Sequence, residues 1–138
     1  MNMEVVFPSP NGKRVDAKFK GFTIKTDQPS IAGGQGSAPA PFDLFLASIG
    51  TCAGIYILNF CQQRDLNTDG IRIVQKMERD RQKGMIDNIS LEIELPPDFP
   101  EKYKDAVIRS AELCAVKKHI QDPPEFNIKT KVVSPDNL

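Results

Sequence analysis

The stretch Phe42–Cys61, FDLFLASIGTCAGIYILNFC, decides how this 138-residue chain is read. It carries one charge, Asp43, and is about as long as a bilayer-spanning helix. Asp43, Ser48, Thr51 and Asn59 interrupt it, however, and no lysine or arginine cluster lies beside it to set an orientation. It reads instead as a helix buried on nearly all sides in a protein core, running to about Arg64 and ending in the polar turn DLNTDG. A helix apolar all round needs more cover than one small chain readily supplies. The stretch therefore predicts a homodimer.

Upstream, Val5 to Phe7, Val15 to Phe19 and Phe22 to Thr26 are short, partly alternating runs broken by PSPNG and Gly21, which suggests an N-terminal β-meander. Pro29 to Pro41 (PSIAGGQGSAPAP) favours neither helix nor strand and reads as a loop, with Pro41 suited to a first helical turn. Downstream, Ile71 to Arg79 and Ile86 to Leu95 flank a charged turn, and ISLEIEL alternates with period two, predicting a hairpin with one buried face. Tyr103, Ala106, Val107, Ser110, Ala111 and Cys114 recur at steps of three and four, an amphipathic helix with Cys114 on its apolar side. Val116 and Ile120 continue it or form a short second turn, and Asp122, Pro123 and Pro124 stop it. Phe126 to Val133 (FNIKTKVV) reads as a last strand. The fold class is α+β in a single domain spanning residues 1–138.

Lysine plus arginine equals aspartate plus glutamate at 18 each, so no net field concentrates nucleic acid, anionic lipid or an acidic substrate. Nothing at the N-terminus suggests export, so the expected location is the cytoplasm. Three cysteines do not make a disulfide framework there, and any disulfide would be transient or catalytic. Cys52 and Cys114 bring thiols towards one core from distant parts of the chain, although a cysteine in an apolar helix is by itself more often packing than nucleophile. Cys61, nine residues from Cys52, sits about half a turn round and about 13 Å along the axis, too far to bridge it, and reads as packing.

The segment GGQGSAPAPFDLFLASIGTC (Gly33 to Cys52), with a cysteine eleven residues after Pro41, resembles the hallmark of the OsmC-like family, as does the order of elements along nearly the whole chain. Cys114 in AELCAVKKHI matches the family's second cysteine, with Ala115 where a proline is common. The resemblance implies an intertwined homodimer, sheets wrapped around two central helices, sites at the subunit boundary, and thiol-dependent reduction of organic hydroperoxides in its best-known branches. It also departs from those branches. Phe42 stands where they carry a glutamate, Asp43 is displaced by one residue, and no arginine occurs between Val15 and Arg64. The chain is thus similar to the less characterised branch that keeps the cysteines without their polar partners.

The chemistry so implied makes Cys52 the attacking thiolate and Cys114 the resolving thiol, with no cofactor and an external dithiol as reductant. A buried thiol needs help to ionise, and Lys13 or Arg14 from the partner subunit are the available cations. The alternative is a non-enzymatic binder of small apolar molecules, or a redox sensor. His119, the lone histidine, supports neither a metal site nor a Cys–His–Asp arrangement. GGQG lacks the lysine and preceding strand of a phosphate loop.

Overall fold

The computed structural model describes residues 1–137. Strands β1 (Glu4–Val6), β2 (Val15–Phe19) and β3 (Phe22–Thr26) form an antiparallel meander in sequence order. Lys20 and Gly21, both at positive φ (50° and 82°), make the tight turn between β2 and β3, a geometry glycine adopts without steric cost. The long helix α1 (Pro41–Gln62) follows, with Pro41 in its first turn, and then the hairpin of β4 (Arg72–Asp80) and β5 (Met85–Glu94). The register pairs Ile73 with Ile93, Gln75 with Leu91 and Met77 with Ile89, which sets one apolar face towards α1. Helices α2 (Lys104–Ala111) and α3 (Ala115–Gln121) close the described core.

That core is a junction of three elements. Ile57, Phe60 and Cys61 from the last turns of α1 meet Phe99 and Val107 of the α2 region, with Ile73 and Ile93 of the hairpin packed against them. The Arg64 guanidinium lies 3.7 Å from the Phe60 ring centre and donates to the Phe60 carbonyl at 3.1 Å, so it covers the core and closes the end of α1 at once.

Two expectations need correction. The last strand does not form: residues 123–134 pair with no strand, and Phe126, Ile128 and Val132 are exposed. Their alternation suits a half-buried strand, but an extended segment gains its hydrogen bonds only from a neighbour, and none lies beside it in the single chain. Within one chain helix α1 buries Ile49, Ala53, Ile57, Phe60 and Cys61. The second helix ends at Ala111, so Cys114 lies beyond it rather than on its apolar side.

Candidate active site

The long 27–40 loop is tied down by one carboxylate. Asp27 is buried and accepts from the Gln28 N–H at 2.7 Å, the Ser37 N–H at 3.0 Å and the Ser37 hydroxyl at 2.5 Å. Those donors, the Ser37 hydroxyl first, hold its pKa down at about 2. Gly34 packs so closely on the Gln28 carbonyl that any side chain there would collide with it. The anchored loop delivers Pro41 to the start of α1, where the Asp43 carboxylate reaches back to the Ala40 N–H at 3.1 Å. Asp43 is thus a helix cap.

Cys52 sits half-buried midway along α1, between the buried Ile49 and Ala53. Opposite, α2 stops and the chain tightens through Leu113 N–H to Ser110 C=O (3.1 Å) and Cys114 N–H to Ala111 C=O (3.3 Å). It restarts as α3 with Cys114 as N-cap, the Cys114 Sγ accepting the Lys117 N–H at 3.4 Å. Cys114 is buried, and its sulfur lies 3.9 Å from the Ile49 carbonyl of α1. The restart brings the Val116 and Ala115 N–H groups and the Cys114 thiol towards the Cys52 sulfur, where each favours the thiolate.

The two thiols are driven apart as acids. The Val116 N–H stabilises the Cys52 thiolate and, with the Cys114 thiol and the Ala115 N–H, outweighs burial, so Cys52 ionises below its ordinary range. Cys114 is pushed up, first by burial and then by the neighbouring Cys52. Cys61 is also pushed up by burial, belongs to the core and lies away from the pair. All three cysteines are free thiols.

The other residues singled out from the sequence stand elsewhere. Phe42 stacks on Phe45 at 5.5 Å, half exposed. Arg14 is engaged by the buried Asp16 at 2.6 Å. His119 contacts the Ala115 carbonyl of its own turn at 2.7 Å. Among the described residues no cluster could hold a metal ion. Backbone donors at Cys52 were not foreseen, because sequence reasoning sought a side-chain cation; the only trace of them is a cysteine poised between two helical runs.

Two hollows flank α1. One, about 490 Å³, runs between β5, α2 and α3 and is lined by Cys114. The other, about 520 Å³, lies between β4 and the small residues Ala47, Gly50, Thr51 and Gly54 of α1. Gly50 lets Gln75 lie against the helix and donate to the Leu46 carbonyl at 3.0 Å.

Residues 34–129 match the family described as OsmC-like protein. No curated protein sequence matches the chain. Among solved structures, it is similar to the OsmC like protein from Mycoplasma pneumoniae, with a TM-score of 0.66, 14% identity and coverage of 88% of this chain and 87% of that one. It is also similar to the organic hydroperoxide resistance protein OhrB of Bacillus subtilis, with a TM-score of 0.51, 15% identity and coverage of 86% and 90%. A third likeness is to a Psychrobacter arcticus 273-4 protein assigned to the osmotic stress induced and detoxification response, with a TM-score of 0.69, 19% identity and 86% of each chain covered.

Proposed function

We propose, from the premise that this chain belongs to the OsmC-like family, that it is a thiol-dependent peroxidase acting on organic hydroperoxides in the cytoplasm as a homodimer. The observation that carries this reading is the convergence of the Val116 and Ala115 N–H groups and the Cys114 thiol on the Cys52 sulfur. Such donors favour the thiolate without a cation. Cys52 attacks the terminal oxygen of a hydroperoxide. The O–O bond breaks, the alkoxide takes a proton and leaves as alcohol, and Cys52 becomes a sulfenic acid. Cys114 then displaces the hydroxyl, which leaves as water with a proton, and the two sulfurs join. An external dithiol restores both thiols, and no cofactor takes part.

A second reading, a redox sensor or small-molecule binder with little turnover, is favoured by Phe42, whose ring packs on Phe45 where the peroxidase branches carry a glutamate. Consumption of tert-butyl hydroperoxide with dithiothreitol separates the two. The peroxidase reading expects turnover that Cys52→Ser abolishes and Cys61→Ala preserves. A disulfide that forms once, without turnover, supports the sensor.

A further inference from the structure

We propose that closing the 52–114 disulfide loosens α3, so that this helix registers the oxidation state of the pair: in the reduced chain the Cys114 sulfur caps α3 by accepting the Lys117 N–H at 3.4 Å, and the bonded sulfur gives up that amide. The inference rests on the cysteine-pair reading above.

Helix α3, Ala115–Gln121, has seven residues and none of them is buried. A helix that short does not hold itself in water, so its order depends on what anchors its ends. At its C-terminal end the chain runs on into residues 123–134, which pair with no strand. The anchor is therefore the N-terminal end, where Cys114 is buried and its sulfur also lies 3.9 Å from the Ile49 carbonyl of α1. The first amides of a helix have no partner within it and take one from a cap or from an anion. Here the first turn has no acidic side chain. The Lys117 N–H has the Cys114 sulfur, and the Val116 and Ala115 N–H groups face the Cys52 sulfur, which they favour as thiolate.

One bond withdraws all of these partners. The oxidant is an organic hydroperoxide, ROOH, which takes two electrons from the pair. The Cys52 thiolate and the Cys114 thiol become a disulfide, and ROOH, with the Cys114 proton and one from solvent, leaves as ROH and water. The negative charge at Cys52 disappears, so the Val116 and Ala115 N–H groups lose the anion that suits them. The Cys114 sulfur is drawn to about 2.0 Å from the Cys52 sulfur, well inside the contact distance of two free thiols, and the fixed geometry of the bond turns it from the Lys117 N–H. Helix α3 lies C-terminal to both cysteines, so the new bond does not tether it. It is ordered while the pair is reduced and frayed once the pair is oxidised.

The test is hydrogen exchange of the full chain, followed by mass spectrometry at one pH, reduced and after one equivalent of tert-butyl hydroperoxide, with the 52–114 link verified by peptide mapping. Loss of a cap and of an anion at the first turn should speed exchange of the α3 amides about tenfold, while those of α2 and the β4–β5 hairpin do not speed up. Two variants isolate the sulfur's part in the reduced chain. Cys114→Ser keeps an oxygen cap and should leave α3 exchange as it is, whereas Cys114→Ala keeps none and should speed it about fivefold without peroxide. An α3 that exchanges equally in the two oxidation states, or more slowly after oxidation, overturns the inference while sparing the pair. Equal exchange in Cys114→Ala and Cys114→Ser does the same. A chain in which peroxide forms no 52–114 link sinks the pair and this inference with it.

Discussion

At Cys52 a thiol is made acidic by groups that carry no formal charge, which gives the site a distinctive titration. Alkylation by iodoacetamide against pH should place the Cys52 midpoint below 9.0 and below those of Cys61 and Cys114. Cys114→Ala removes one donor and leaves the larger contribution of Val116, so the Cys52 midpoint should rise only part of the way. A return to the full ordinary value would show that the backbone donors count for little. Asp27 offers a second titration. Its carboxyl is depressed from 3.8 to about 2, so it contributes stability that is fully present above pH 4 and is lost as pH falls through 2. Thermal melts should show the wild-type Tm falling more steeply across that window than the Tm of Asp27→Asn, which should itself be lower at pH 7. The two thiols were legible in the sequence by resemblance. The amides that tune one of them were not, because residue types report side chains and say little of where a backbone N–H points.

Among the elements, the meander and hairpin were readable nearly to the residue, since alternation and the Lys20–Gly21 turn act locally. The division of the second helix was not. Ala106, Val107, Ser110, Ala111 and Cys114 keep helical spacing straight across the break, and only the backbone shows that Cys114 caps a new helix. The last strand failed for the converse reason: FNIKTKVV has the right pattern but depends on a neighbour that no pattern specifies. The packing of α2 on α1 rests on Val107, fully buried against Phe60 and Phe99. Val107→Ala removes two methyl groups and leaves a cavity, and should cost about 2 kcal/mol in urea unfolding. A loss below about 0.5 kcal/mol would mean that the junction collapses to fill the space.

For the whole molecule, α1 is the unresolved account within one chain: it is long and apolar enough to span a membrane, yet only 28% of its most apolar window is buried. Phe42, Phe45 and Ile55 on this helix stand in the open. A second copy is the cover we propose, and it predicts sedimentation as a dimer at micromolar concentration with a Tm that rises with protein concentration. A folded monomer with a concentration-independent Tm would reject it. The fold also brings together two thiols far apart along the chain. Joined, they would close a loop of about 60 residues, which in the chain-entropy account removes about 4 kcal/mol of freedom from the unfolded state. Oxidation would then make the protein harder to denature, and its melting temperature would serve as a direct record of how much peroxide it had met.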